Sequence, residues 1–120
     1  SLSNRDKNEY ESLATAVGTT IITTSKNWEY TDLEALLHPQ VRDVNNFEHL
    51  YREGTKLGGF DSCKEGEFEK NAFPEIPTAL KYSGICQFKN GSAKVFILFS
   101  MLKDLNFVVF TIDMFPIEET

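Results

Sequence analysis

The residues of this chain that could take part in chemistry are few and widely spaced. His38 and His49 are the only histidines, and an unperturbed imidazole titrates near neutral pH, so either could serve as a general base. His38 precedes Pro39 at the end of a short predicted helix, where a structural role beside exposed carbonyls is favoured. His49 lies beside Glu48 on a predicted helix and is expected to be solvated. The sequence therefore assigns no catalytic residue.

Three glutamates offer a second possible chemistry. Glu65, Glu67 and Glu69 alternate along a predicted strand and would share one of its faces. Two carboxylates facing an apolar cavity beside Tyr82 could act as acid and base, because burial raises the pKa of a carboxyl group. On an edge strand the same residues would form a charged face that discourages aggregation. We favour this second interpretation, and we expect Asp113 to border an interface.

The sequence does not indicate a metal or nucleotide site. Two isolated histidines and two distant cysteines do not have the spacing of a zinc site. The sequence has neither a calcium loop nor a glycine-rich phosphate loop, so no cofactor is predicted. Asn90-Gly91-Ser92 matches an N-glycosylation sequence, but the turn that Asn-Gly favours explains it without a sugar.

Length and charge limit the class of protein. At 120 residues the chain is expected to form one domain, residues 1–120, with an ordinary core. Acidic residues outnumber basic ones by 18 to 12, and the net charge of −6 disfavours nucleic acid or an anionic membrane surface as a partner. No apolar run approaches the ~20 residues that a transmembrane helix needs, so no membrane span is expected.

Cys63 and Cys86 are either buried free thiols or a disulfide. Pairing the predicted strand 60–70 with the strand 80–88 places them opposite each other. We favour the bond, which would stabilise the fold by about 3 kcal/mol. A disulfide, together with a start at Ser1 without methionine, favours an exported protein, periplasmic or secreted, over a cytoplasmic one.

The pairing of these two strands predicts a β-bulge. In an uninterrupted register the three glutamates would point toward the core and Phe68 would point away from it. An extra residue near Gly66 shifts the phase, so that Cys63 and Phe68 both face inward. We therefore expect a bulge at this glycine.

A long helix is predicted at the start of the chain. It extends from a cap at Ser3 or Asn4 to about Ser25. Its apolar residues recur at helical spacing and form one stripe, consisting of Tyr10, Leu13, Ala14, Val17 and Ile21.

Two further helices are predicted before the first strand. Thr31 and Glu34 have the spacing of a capping box and begin a short helix. A third helix is expected to begin at a cap formed by Asn45 or Asn46, and Gly58 supplies its left-handed stop.

The C-terminal third is predicted to form three antiparallel strands. Asn90-Gly91 between two apolar runs predicts a two-residue hairpin that pairs Lys89 with Ser92. A second turn over residues 103–106 would pair Phe99 with Phe110 on the core side. The reverse face would carry a further apolar set, which we expect to form a dimer interface: Phe96, Leu98, Leu102, Phe107 and Val109.

This layout resembles the NTF2-like (cystatin-like α+β) superfamily. The resemblance rests on Asn27-Trp28-Glu29, on the segment 33–41 (LEALLHPQV) and on the meander, which is the set of three predicted antiparallel strands in the C-terminal third. It implies an α+β fold, with N-terminal helices packed on a strongly curved four-stranded antiparallel sheet that forms a cone. It also implies sheet-to-sheet dimers and a cone that holds a small apolar ligand. The pocket residues that we expect are Tyr10, Val17, Trp28, Tyr51, Tyr82, Phe99 and Phe110.

The function that these observations favour is a non-catalytic binding or interaction domain. It would form a homodimer through the sheet and hold a small apolar ligand or a protein partner. A small enzyme of the SnoaL or ketosteroid isomerase type is an alternative, and would need an acid and a base in the cavity. A soluble docking subunit of an envelope or secretion assembly is a further alternative.

Overall fold

The computed structural model describes residues 4–43, 46–70 and 73–118, without the side chains of residues 4–6 and 65. The helices are α1 (Asn4–Ser25), α2 (Tyr30–Glu34) and α3 (Glu48–Leu57). The strands are β1 (Phe60–Lys70), β2 (Leu80–Phe88), β3 (Gly91–Met101) and β4 (Phe107–Pro116). Short 3-10 turns lie at Pro39–Val41 and Lys103–Leu105.

The four strands form an antiparallel sheet in the order β1-β2-β3-β4. A single residue, Leu37, forms a parallel bridge to Val109 at the free edge of β4. Five segments of the chain therefore take part in the sheet, one more than we expected. The extra segment was missed because it consists of one bridge, which leaves no pattern in the sequence.

The expected strong curvature is not present, and the sheet is open and not strongly curled. Curvature is introduced by bulges and glycine kinks. The central pair of strands has no bulge, because β2 and β3 remain in register from Leu80 opposite Phe99 to Phe88 opposite Gly91. The confirmed part of the prediction is the α+β class with an antiparallel sheet.

α1 packs on one side of the sheet, which we call the inner face. Its buried residues recur at helical spacing and are Leu13, Ala16, Val17, Thr20, Ile21, Thr24 and Ser25. Thr20 and Ser25 satisfy their buried hydroxyls by donating to the carbonyls four residues earlier. Tyr10 and Ala14 are exposed, so the buried stripe is rotated slightly from the predicted one. The predicted cap at Ser3 lies outside the described residues.

The ends of the later helices test the capping predictions. The predicted capping box is wrong, because α2 begins at Tyr30 and its N-cap position, Glu29, makes no side-chain hydrogen bond. The predicted Asn46 cap lies one residue too early, because Phe47 holds the N-cap position of α3 and makes no side-chain cap. Asn46 precedes it, and its Oδ1 accepts from the Glu48 amide at 2.9 Å. Asn45 lies outside the described residues. Gly58 ends α3 with a positive φ of 81°, which glycine tolerates, but its ψ of −153° differs from that of the predicted left-handed stop.

Trp28 connects the end of α1 to α3. Its ring lies against Gly54, where a Cβ would collide with it, and its Nε1 donates to the Gly58 carbonyl at 3.0 Å. The ring also contacts Phe88 on β2. Trp28 is therefore a packing anchor between the helices and the sheet.

The disulfide and the bulge in β1 are both confirmed. Cys63 lies opposite Cys86, and their sulfurs are 2.09 Å apart. The register shifts between Lys64 and Glu67, which places the bulge at Glu65-Gly66. Phe68 consequently faces inward, against Tyr82 and Phe99.

In the first hairpin, each residue of β2 pairs with the β3 residue two positions before the predicted one. Phe88 pairs with Gly91, so the turn consists of Lys89-Asn90. The amide of Lys89 donates to Gly59 O at 2.8 Å, and that of Asn90 donates to Leu57 O at 2.9 Å. These bonds attach the turn to the end of α3, and sequence reasoning did not anticipate this contact. An even shift leaves every side chain on its predicted face.

The second hairpin contains a bulge that was not predicted. β3 and β4 follow the expected register as far as Leu98 opposite Thr111, and then Phe99 pairs with Val109. Phe110 is the extra residue. Because the phase changes there, Phe107 and Val109 lie on the inner side and Phe110 lies on the outer side. The predicted pairing of Phe99 with Phe110 is therefore wrong.

Candidate functional site

A cavity of about 250 Å³ lies between α1 and β1, on the inner side of the sheet, and we call it the α1–β1 cavity. The helix forms one wall because five of its residues face β1. These residues are Tyr10, Ala14, Val17, Gly18 and Ile21.

The opposite wall of the α1–β1 cavity comes from the bulged half of β1 and from β2. Its main residues are Phe60, Cys63, Gly66, Phe68 and Tyr82. The disulfide therefore forms part of the wall. Tyr10 contacts Phe68 edge-on, with ring centroids 5.8 Å apart, and Lys70 pairs with Glu9 at 3.8 Å. These contacts hold the first half of α1 beside β1.

The side chains that line the cavity are mainly aliphatic and aromatic, and polar atoms, among them two phenol hydroxyls, also form a large part of its surface. Among the side chains that the structure describes, no histidine or carboxylate lines it, and Lys64 is its one charged residue. Lys64 is exposed and pairs with Ile85, on the opposite side of β1 from Cys63. Burial, and then the neighbouring Tyr10, raises the pKa of the Tyr82 hydroxyl. Tyr82 therefore remains a neutral phenol in this site.

The structure brings three of the seven predicted pocket residues together. Tyr10, Val17 and Tyr82 line the cavity, and Phe99 is buried behind Phe68. The other three, Trp28, Tyr51 and Phe110, lie elsewhere. Trp28 packs on Gly54, Tyr51 lines a groove beside Tyr30 and Arg42, and Phe110 stacks on His38.

Sequence reasoning missed the two glycines that make room for the cavity. Gly18 lies in the middle of α1, and a Cβ built there meets nothing within 4 Å. Gly66 lies at the bulge, and a Cβ there would come within 2.8 Å of the Tyr82 ring. A glycine inside a helix weakens it, so Gly18 was a signal that could have indicated the cavity.

The opposite side of the sheet, which we call the outer face, carries apolar and charged side chains in three rows across the strands. Glu69, Lys81, Leu98 and Thr111 form one row. Glu67, Ser83, Phe96 and Asp113 form the next, and Lys64, Ile85, Lys94 and Phe115 form the third. Phe96, Leu98 and Ile85 are half-buried and Phe115 is 48% exposed.

Phe96 occupies the centre of the outer face. The ammonium groups of Lys81 and Lys94 lie 5.1 and 5.3 Å from its ring centroid, and Phe115 contacts it edge-on. Of the five predicted dimer-face residues, Phe96 and Leu98 lie here. The remaining three are corrections that follow from the turn and the bulge: Leu102 is exposed at the β3–β4 turn, Phe107 faces α1, and Val109 is fully buried.

His49 and Asp113 are in hydrogen-bonding contact at the rim of the outer face. Their Nδ1 and Oδ1 atoms are 3.0 Å apart, and the imidazole also contacts Phe115. We had expected His49 to be solvated. The pairing joins residues 64 positions apart, and no local spacing indicates such a contact. Asp113 lies in the same row as Phe96, beside the apolar patch, and its place at an interface stays a prediction.

His38 has a structural role in the turn that follows α2. Its Nδ1 accepts from the Gln40 amide at 3.2 Å, and its ring stacks on Phe110. It lines a separate groove of about 350 Å³ with Ser100, whose hydroxyl lies 3.1 Å from that of Thr78. The imidazole thus caps the 3-10 turn at Pro39–Val41, rather than ending α2.

The predicted carboxylate pair does not form in the cavity. The bulge places Glu67 opposite Ser83 and Glu69 opposite Lys81, both on the outer face, so these two residues cannot act as acid and base beside Tyr82. Within the described ranges, no group of three or more potential ligands could hold a metal ion. Over those same ranges no helix is long and apolar enough to cross a membrane.

Comparisons of the chain with protein families, with curated proteins and with solved structures gave no match.

Proposed function

We propose that this chain is a non-catalytic binding domain of the NTF2-like type that forms a homodimer through the outer face of its sheet. The observation that carries the proposal is the apolar centre of this face. Ile85, Phe96, Leu98 and Phe115 occupy three adjoining rows, they are half-buried or exposed, and His49 of α3 contacts this set at Phe115. An antiparallel sheet with a solvated face normally carries polar residues at such positions.

The charges around this centre favour a second copy as the occupant. Three lysines (Lys64, Lys81, Lys94) balance three carboxylates (Glu67, Glu69, Asp113), whereas the whole chain carries −6. Two copies can therefore approach through this face without the repulsion that the average charge would cause. A two-fold axis brings a patch onto itself, and a patch with both signs can then pair lysines with carboxylates.

Sedimentation equilibrium over micromolar concentrations tests the dimer. The Leu98→Arg substitution should weaken association roughly thirtyfold or more, because it places an unpaired charge at the centre of the interface. The matched control is Leu105→Arg, since Leu105 is 74% exposed at the β3–β4 turn, away from the outer face. A wild-type chain that stays monomeric, or a dimer that Leu98→Arg leaves intact, contradicts the proposal.

A second candidate function is the binding of a small apolar ligand in the α1–β1 cavity. It is favoured by the cavity's volume and by walls made mainly of aliphatic and aromatic side chains. An isomerase or cyclase would need an acid and a base at this place. The described lining supplies two phenols and no histidine or carboxylate, which favours binding over acid–base catalysis.

We also propose that the protein is exported. Disulfides persist in oxidising compartments and are rare in the cytosol, and Cys63–Cys86 is such a bond. Isolation of the protein from its native source, with thiols blocked during lysis, tests this. A fully reduced pair would contradict export.

A further inference from the structure

The C-terminal end of α3 is attached to the rest of the domain through its carbonyl groups. A helix leaves its last carbonyls without partners inside the helix, so they need donors from elsewhere. The carbonyls of residues 56–59 all accept hydrogen bonds from distant segments of the chain. Trp28 Nε1 donates to one of them, and the turn between β2 and β3 donates to the other three.

Asn90 provides two of the three bonds from the β2–β3 turn. Its backbone amide donates to Leu57 O at 2.9 Å, and its side-chain Nδ2 donates to Lys56 O at 3.2 Å. The third bond comes from the amide of Lys89, which donates to Gly59 O at 2.8 Å. Asn90 itself is exposed. The attachment of α3 to the turn therefore depends largely on one residue that water can reach.

The Asn90-Gly91 pair can modify itself in water. The backbone nitrogen of Gly91 attacks the side-chain carbonyl carbon (Cγ) of Asn90 and forms a C–N bond, and the side-chain NH₂ leaves with the Gly91 amide proton as ammonia. Water then opens the five-membered succinimide to aspartate or isoaspartate. Glycine has no Cβ that would hinder the attack. The net reaction replaces the NH₂ group by a hydroxyl, which ionises to a carboxylate at neutral pH.

The product of this reaction cannot restore the contacts that Asn90 makes. An ionised carboxylate only accepts hydrogen bonds, so it has nothing to donate to Lys56 O. It also places a negative charge beside the carbonyls of Lys56 and Leu57, which lie at the negative end of the α3 dipole. An isoaspartate in addition inserts one carbon into the backbone of the turn, which displaces the amides that donate to α3.

We propose that Asn90 is a deamidation site, and that its conversion to aspartate or isoaspartate releases the C-terminal end of α3 from the β2–β3 turn. Water is the only co-reactant. The pairing of Phe88 with Gly91 closes the turn, so the attack takes place when this end of the hairpin opens. The new carboxylate then opposes the return of α3, which makes the change one-way. The inference goes beyond the proposed function, because it involves neither the outer face nor the α1–β1 cavity.

Peptide mapping by mass spectrometry tests the site. The full-length protein is incubated in mildly alkaline buffer, and deamidation is measured as a gain of about 1 Da at each asparagine. Asn27 and Asn106 are matched controls, since they are also exposed but precede the bulky residues Trp28 and Phe107. Asn90 should react roughly tenfold faster than either control. Enzymatic methylation of isoaspartate should label the product, because the succinimide opens to both isomers.

Three variants test the release of α3. Asn90→Asp reproduces the carboxylate and should raise the equilibrium constant of unfolding roughly tenfold, from the lost hydrogen bond and the opposed helix dipole. Asn90→Ala removes the donor without adding a charge and should have a smaller effect. Asn106→Asp adds the same charge at the other hairpin, where the side chain bonds only to Lys103 O, and should also have a smaller effect. Urea denaturation measures all three.

Hydrogen exchange gives the local readout. The amides of Lys89 and Asn90, which donate to α3 in the wild type, should exchange faster in Asn90→Asp. Equal reaction rates at Asn27, Asn90 and Asn106 would overturn the assignment of the site. Unchanged exchange at Lys89 and at the substituted residue 90 would overturn the release of α3, as would a stability loss in Asn106→Asp that equals that of Asn90→Asp.

Discussion

The two faces of the sheet differ although they are built from alternate residues of the same strands. On the inner face, Val95, Ile97 and Phe99 are at most 1% exposed and belong to one cluster with α1. On the outer face, Phe96 and Leu98 are half-buried between lysines and carboxylates. The inner face therefore holds the monomer together, whereas the outer face has apolar surface available for association.

The comparison also separates the two kinds of site. The α1–β1 cavity is a gap in the inner packing, where Gly18 and the bulge at Gly66 leave space. The outer patch is a surface whose apolar centre, Phe96, is only half-buried by the lysine and phenylalanine side chains around it. A mutation on the inner side should change stability or ligand binding, and a mutation on the outer side should change oligomeric state.

The largest expected contrast is between two neighbouring residues of β3. Ile97→Ala should reduce the free energy of unfolding by about 2–5 kcal/mol, because Ile97 is buried and the surrounding side chains cannot fully close the space that the shorter alanine leaves. Leu98→Ala should cost about 1 kcal/mol or less at concentrations where the protein is monomeric. Urea denaturation at low protein concentration measures both values. Equal losses would remove the distinction between the faces.

The disulfide should make the next largest contribution. The double substitution Cys63→Ala with Cys86→Ala should lower the free energy of unfolding by about 3 kcal/mol, since the bond closes a loop with a sequence separation of 23 residues. Denaturation of the wild type in reducing buffer is the control and should give a similar loss. A midpoint that neither treatment moves would contradict a stabilising role.

The smallest expected effects on the free energy of unfolding come from alanine substitutions at two helix glycines on the inner side of the sheet. Gly18→Ala should raise the free energy of unfolding by about 0.5–1 kcal/mol, because alanine favours the helix and its Cβ meets open space. Gly54→Ala should have the opposite sign, since its Cβ would collide with the Trp28 ring. Thermal unfolding of the pair checks both signs, and a destabilised Gly18→Ala would mean that no space exists there.

Features were predictable where nearby residues place opposite or specific demands on the backbone. The bulge at Gly66 followed from the opposite demands of Cys63 and Phe68, and both the disulfide and the bulge are present. The three helices and four strands followed from periodicity and turn residues. By contrast, the bulge at Phe110 was not predictable, because Val109 and Phe110 are both apolar and either could face the core.

Contacts between distant segments account for the remaining differences. The position of the Lys89-Asn90 turn is set by its hydrogen bonds to the end of α3. The bridge between Leu37 and Val109 joins two segments that are far apart in the sequence. Three of the eleven residues that line the cavity were predicted, namely Tyr10, Val17 and Tyr82. The glycines that open it were not considered, because a residue without a side chain gives no apolar signal.

The attachment of the first hairpin turn has a practical consequence for labelling the protein. Asn90 bonds to α3 through both its amide and its side chain, which donates to Lys56 O at 3.2 Å. An epitope tag spliced in at this turn would break those bonds and detach the helix end from the sheet. The Lys103–Leu105 turn is exposed, and its backbone bonds are local: the Leu102 amide donates to Asn106 O, and the Asn106 amide donates to Lys103 O. This turn is therefore the better position for a fluorophore or a fusion partner.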